Sequence, residues 1–166
     1  MKKLIVFVIA IIFSATTAHS HGNISKLPDS VQIMQYKMKL FMKADDVDTQ
    51  NKLAMAYFRN NQAEEAKEQL ESVLKLDKGN FDALDGMGIV LFKMGKYKKA
   101  QGYLKKAVAI NSEDVMVHVH LALNYEKLNL TELSKKEMNI AKSQASGPEE
   151  LKAIEEEIEI LALTGS

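Results

Sequence analysis

The residues of this chain best suited to metal or proton chemistry are its four histidines, which come as two His-x-His pairs, His19/His21 and His118/His120. Imidazoles hold zinc or copper when several converge on one ion. Around His118 and His120 the pattern is helical, and residues two apart on a helix point about 160° from one another. They cannot close on one metal without unwinding. His118 is expected to pack inside and His120 to face an open groove. His19 and His21 offer a different chemistry: if His21 became an N-terminus, its amine and imidazole would suit copper, against the plainer expectation of a frayed polar end. Cysteine is absent, no glycine-rich phosphate loop occurs, and no histidine has a carboxylate partner at useful spacing. Ser72 and Lys75 form a Ser-x-x-Lys match inside a helical pattern, where chance supplies it. The expectation is a non-enzyme with no catalytic residue, no metal site and no cofactor.

The elements that must position these residues are helical. Hydrophobic residues make up 46% of the 166 residues and charged ones 27%, an ordinary folded composition with only two prolines and eight glycines. The abundant Ala, Leu, Lys and Glu lose least on entering a helix. The start differs in kind. Met1-Lys2-Lys3 is basic, Leu4 to Phe13 is an unbroken apolar run, and Ser14 to Ser20 is small and polar. This is the layout of a secretory signal peptide, residues 1–20, with cleavage after Ser20 favoured over Ala18. The run falls well short of the roughly 20 residues that span a bilayer, so no membrane span is expected after its removal. A periplasmic or secreted protein follows as the expectation. It would be held by packing alone, since it has no cysteine for a disulfide.

Formal charge is zero, and only Arg59 is an arginine. A nucleic-acid surface would need a basic stripe with several arginines, so that partner class is set aside.

Residues 21–46 read as a loose tail and one helix. Pro28-Asp29-Ser30 marks its start, with Asp29 or Ser30 as the cap, and Val31, Met34, Met38 and Phe41 form one stripe. From Val47 a 34-residue period appears. Leu53, Met87 and Leu121 are one column; Ala54, Gly88 and Ala122 another; Tyr57, Leu91 and Tyr125 a third. In the second helix of each unit, Ala66, Ala100 and Ser134 align, then Leu70, Leu104 and Met138, then Val73, Ala107 and Ala141. Large positions stay large and small ones small, with Gly88 expected to face Ala100 across a helix pair broken at Gly95. Pro148 opens a last helix, 149–163 within the segment 149–166. Leu151, Ile154, Ile158 and Leu161 lie on one face, with six glutamates over much of the rest. A cap closing the open end of a stack is the expectation.

Residues 47–80, 81–114 and 115–148 resemble three tetratricopeptide repeats, the middle one most closely through Gly88, Gly95, Tyr97, Ala100 and Ala107. The family's tryptophan is replaced by Gln50, Leu84 and His118, and its closing proline appears only at Pro148. The resemblance implies an all-α, right-handed α-solenoid of three helix pairs, with one extra N-terminal helix and a C-terminal capping helix. It also implies a concave groove lined by the first helix of each pair. Carried over by position, that groove holds Asn51, Met55, Phe58 and Arg59; Asp85, Ile89, Phe92 and Lys93; and Val119, His120, Leu123 and Lys127. The family's carboxylate clamp is not reproduced at Asn51, Met55, Met116 and His120. A protein or peptide partner in the groove is expected, for an exported scaffold or adaptor in an envelope assembly machine (secretion, pilus, polysaccharide export or cytochrome maturation). The alternative is a self-associating structural protein, with helix 31–42 packed into a groove as a homo-oligomer contact.

Overall fold

The computed structural model describes residues 27–164. The signal-like segment, both cleavage positions, His19 and His21 lie outside the described residues. Eight helices follow in order: α1 Asp29–Met42, α2 Val47–Arg59, α3 Ala63–Leu76, α4 Phe81–Lys93, α5 Tyr97–Ile110, α6 Val115–Lys127, α7 Thr131–Gln144 and α8 Pro148–Thr164. Consecutive helices pack in antiparallel pairs. The first helices of the units, α2, α4 and α6, lie side by side as an inner row that α8 extends next to α6. The fold is an all-α solenoid.

The repeat is written into the helix ends as well as the core. Asp46, Asn80 and Asp114, one period apart, cap α2, α4 and α6 by accepting from the N–H of Thr49, Ala83 and Val117. Such a cap satisfies a donor that the first helical turn leaves free. Between the helices of each pair the chain turns through a left-handed residue, again one period apart: Asn61 (φ 61°), Gly95 (φ 70°) and Asn129 (φ 59°). Glycine has no Cβ to clash there, and asparagine tolerates the region best among side chains. Past each turn, an N–H closes back on the first helix, Gln62 to Tyr57, Lys96 to Leu91 and Leu130 to Tyr125, at 2.8–2.9 Å.

Two apolar clusters form the core. The larger runs from Tyr36 of α1 through Leu70, Met87 and Val119 to Ile154 and Leu161 of α8. The smaller joins the second and third repeats through Leu84, Leu104, Val117, Leu121 and Tyr125. Leu70 and Leu104 are fully buried, each contributing about 1.5–3 kcal/mol. Gly88 is set against Leu104 rather than Ala100: a Cβ at Gly88 would lie 2.5 Å from Leu104 Cγ. The small residue is needed because a large one from α5 fills the space.

Two expectations about the flanking helices are corrected, the cap of α1 and the place of Leu151 on the packed face of α8, and the stripe of α1 acquires a direction. Among the described residues no side chain caps α1; Asp29 is its first residue and pairs instead with Arg59 of α2 at 2.8 Å. The Val31/Met34/Met38/Phe41 stripe does not face the array. α1 packs on α2 through Gln32 and Tyr36, with Ile33 and Leu40 half-buried, and Met34, Met38 and Phe41 are exposed. The reason is register. α1 has the 14-residue length of α3, α5 and α7 and begins one period before α3, so it is the second helix of a further unit and turns the same side inward. In α8, Ile154 and Leu161 are buried and Ile158 is half-buried, whereas Leu151 is exposed.

Candidate functional site

The inner row is not uniformly open. Between α1, α2 and α4 lies a cleft of about 370 Å³. Its walls are Tyr36, Met55 and Ile89, with the backbone of Gly86 between them, and Asp48, Asn51, Lys52, Arg59, Asp82 and Asp85 form the polar rim. Gly86 keeps the wall thin: a Cβ there would come within 3.2–3.4 Å of Leu70 and of Met55 Sδ.

Five of the twelve groove residues expected from the sequence line this cleft: Asn51, Met55, Arg59, Asp85 and Ile89. The other seven are elsewhere. Phe58 and Phe92 are buried; Phe92 meets Tyr97 edge-on at 5.4 Å, because the last turn of a first helix packs on the helix that follows it. Lys93 is a bridge between repeats, its Nζ 4.8 Å above the Phe58 ring and donating to Asn61 Oδ1 at 2.7 Å. Burial holds its pKa below the usual lysine value. Val119 and Leu123 are buried in the same cluster as Ile154 and Leu161 of α8. Lys127 is exposed. The apolar residues expected on an open surface are thus mostly core, and only half-buried Met55 remains accessible in quantity.

Charge at the cleft is largely spoken for within the chain. Lys52 pairs with Asp48, and Arg59 with Asp29 and Gln32. Asp82 is exposed, with no ion pair among the described residues. Asn51 donates through Nδ2 to Asn80 Oδ1 at 2.9 Å, tying the cleft to the cap of α4, while its buried Oδ1 meets no donor among the described residues.

Toward the third repeat the inner face is closed by His120. Its Nδ1 sits 2.8 Å from Asp85 of α4 and its Nε2 3.3 Å from Glu157 of α8. Burial alone would push this imidazole down, but the Asp85 and then the Glu157 carboxylates outweigh it and raise its pKa to about 10. His120 is therefore an imidazolium, donating to both carboxylates and joining three helices. His118 also meets a carboxylate, Glu137 of α7 at 2.7 Å, with the Ser112 carbonyl 3.1 Å from its other nitrogen. The expectation of histidines without carboxylate partners is corrected in both cases. The partners come from other helices, so spacing along the chain could not reveal them. Among the described residues no group of three or more His, Cys, Asp or Glu side chains is arranged to hold a metal ion.

Six cleft residues lie outside the set expected from the sequence: Asp48 and Lys52 of α2, Asp82 and Gly86 of α4, and Gln32 and Tyr36 of α1. For the α1 pair, the expected array does not include the helix itself. The signal was available: subtracting one period from α3 places α1 in the array.

Comparisons with known proteins agree with this architecture. Tetratricopeptide repeat models match residues 47–80 and 81–114. Superkiller complex protein 3 of Mus musculus is 33% identical over 88 residues, 53% of this chain and 6% of that protein. Its Homo sapiens counterpart is 31% identical over the same length. The chain thus spans a small fraction of the curated relatives it matches. Among solved structures, a crystal structure of MamA superposes with a TM-score of 0.62 at 22% identity, covering 75% of this chain and 71% of that one. A MamA RS-1 ArsTM double mutant gives 0.63 at 23%, covering 70% and 65%. At such identities the likeness is one of fold.

Proposed function

This chain is a tetratricopeptide repeat protein, and from that premise we propose that it is an exported, non-catalytic scaffold whose α1/α2/α4 cleft holds a segment of a partner protein. Repeat scaffolds of this kind serve protein–protein interaction. The observation that carries the reading is the cleft itself: an apolar floor of Tyr36, Met55 and Ile89 under a polar rim, left unfilled in an inner face that is packed elsewhere. Such patches mark binding surfaces. Both rim cations are engaged by acids or amides of the chain, whereas Asp82 has no ion pair among the described residues, so the segment favoured is apolar with a basic residue beside it. Assembly of an envelope complex, in secretion, pilus formation, polysaccharide export or cytochrome maturation, is the setting that the signal-like start supports.

Residues suited to the test are those whose change leaves the core alone. Phe92 and Lys93 are unsuitable, being buried and inter-repeat bridging respectively. A photo-crosslinking residue at Met55 should give a discrete adduct with an envelope protein, and Asp82→Lys should abolish it with an unchanged melting curve. Equal adducts from a probe at exposed Lys106 on the outer side would overturn the cleft as the site. Export is read separately, by N-terminal sequencing of the protein from envelope fractions. A start at His21 or His19 supports it; an intact Met1 removes it.

A further inference from the structure

α1 carries an apolar outer face that its equivalents in the array lack. Met34, Met38, Phe41 and Met42 are 56%, 64%, 89% and 82% exposed. Stepping by the repeat period, the counterparts of Met34 are Glu68, Gly102 and Lys136. Those of Met38 are Ser72, Lys106 and Ile140, and those of Phe41 are Lys75, Ala109 and Ser143. Met42 differs from the other three: its counterparts Leu76 and Ile110 are apolar and exposed as well, and only Gln144 is polar. The shallow depression along α1, formed by Ser30, Ile33, Met34, Lys37, Met38 and Phe41, recurs three periods later on α7 at the same six positions. There it is formed by Glu132, Lys135, Lys136, Asn139, Ile140 and Ser143. The fold therefore does not require the positions of Met34, Met38 and Phe41 to be apolar, and on α1 alone the three together give the outer face the composition of an interface.

Charge and area narrow what covers it. Lys37 borders the stripe with no acid of α1 near it, the helix's one acid, Asp29, being taken by Arg59; Lys39 and Lys43 lie at the C-terminal end, where they share the field of Asp46 at the start of α2. A second copy offering the same face would set lysine against lysine. The acidic helix α8 would match in charge. Among its described residues, however, the large exposed apolar ones, Leu151 and Ile160, are nine apart and so on opposite sides of the helix, among Lys152, Glu155, Glu156 and Glu159, and form no continuous stripe to meet the methionines. The face is also small. A 14-residue helix is about 21 Å long and about 10 Å wide, offering about 200 Å² against the roughly 800 Å² per partner of a stable protein interface. A lipid surface demands no such area. A lysine-flanked apolar stripe lies in the headgroup boundary by inserting a few side chains and attracting anionic lipid. No described helix is long and apolar enough to cross a membrane, so the contact is interfacial.

We propose that the Met34/Met38/Phe41/Met42 face of α1 docks on an anionic phospholipid surface, its apolar side chains in the acyl boundary and Lys37, Lys39 and Lys43 among the headgroups. This stands on α1 alone and is independent of the cleft.

The chain has no tryptophan, so Phe41→Trp in the full-length protein reports from the face itself. This matters because the Leu4–Phe13 run could hold the chain on vesicles without α1. With vesicles of phosphatidylglycerol and phosphatidylcholine, the tryptophan emission should shift to the blue and be quenched by brominated acyl chains. Added salt should weaken the effect. Replacing Lys37 or Lys43 by Gln should weaken binding about five-fold each, and Met34→Glu with Met38→Glu should remove the shift. Four outcomes would overturn the proposal: a solvent-exposed tryptophan on vesicles that nonetheless sediment with the protein; equal insertion into pure phosphatidylcholine; a lipid-free blue shift that grows with protein concentration, showing a second copy; and a lipid-free shift independent of concentration, showing cover by residues 1–26.

Discussion

The inner row has two stretches built on the same repeat geometry and finished in opposite ways. Between α1, α2 and α4 it opens into a cleft; between α4, α6 and α8 the charged His120 bridge and the Ile154/Leu161 contacts close it. At the register position where the open stretch has Gly86, the closed one has His120, one period later. Glycine there leaves room for Met55 and Leu70, and histidine reaches sideways to two carboxylates. The repeat thus supplies a frame, and single positions within it decide whether a unit receives a partner or binds a helix of its own chain.

The largest effect should come from breaking the closed stretch. His120→Leu leaves Asp85 and Glu157 facing one another without their cation, and removing one member of a buried ionic group costs about 3–5 kcal/mol. The two carboxylates are partly exposed, which puts the expectation at the low end, about 3 kcal/mol. Hydrogen exchange should rise in α8 far more than in α2 or α4; uniform exchange would mean that the bridge does not hold α8. The same contact carries a pH signature. Because the folded imidazole is held up to about 10 against an ordinary value of 6.5, its stabilisation is complete below about pH 6.5 and is lost as pH rises through about 10. Protease cleavage within 148–164 should increase over that window. In His120→Leu it should be high and flat.

Next in size is the joint between the stretches. Gly88→Ala drives a methyl into Leu104, which belongs to the cluster linking the second and third repeats. Overpacking of this kind costs about 1–3 kcal/mol. Neighbour coupling holds a repeat array together, so the denaturation curve should broaden as the stretches melt apart. Gly88→Ala combined with Leu104→Ala should recover part of the cooperativity, whereas a loss equal to the sum of the two single changes would refute the contact.

What the sequence made legible follows from which contacts are local to the repeat. The 34-residue columns at Leu53, Ala54 and Tyr57 repeat because each unit packs on its neighbours in one way, and the all-α solenoid could be read from them. α1 escaped inclusion because its inward positions carry Gln32 and Tyr36, where the other second helices carry Ala66 and Leu70 or their like. The site was half legible. Asn51, Met55 and Asp85 follow from their position on a first helix. Phe58 and Phe92 look open only if the packing of a helix's last turn against its successor is ignored. The His120 bridge draws on three helices, and no spacing rule along one chain could have assembled it.

The smallest effects should separate the cleft from the frame that holds it. Asn80→Ala removes the cap of α4 and also the acceptor of Asn51 Nδ2, at about 1 kcal/mol for the cap. It should lower the melting temperature and loosen the cleft, because the Asn51 side chain then loses the one hydrogen bond it makes among the described residues. Asp46→Ala removes the corresponding cap of α2, with no Asn51 attached to it, and so serves as the control. If Asn51 is held by the cap of the next repeat, Asn80→Ala should weaken crosslinking at Met55 and Asp46→Ala should not, even where both lower stability alike. Equal loss from the two would mean that the cleft simply follows global stability. A smaller change still is Arg59→Gln, which breaks a half-exposed ion pair worth no more than about 1 kcal/mol. Its consequence should be local, since Arg59 is what ties α1 to the cleft rim through Asp29 and Gln32. Exchange should rise in α1 and the Tyr36 wall should loosen, while α8 and the His120 bridge, at the other end of the inner row, stay as they were.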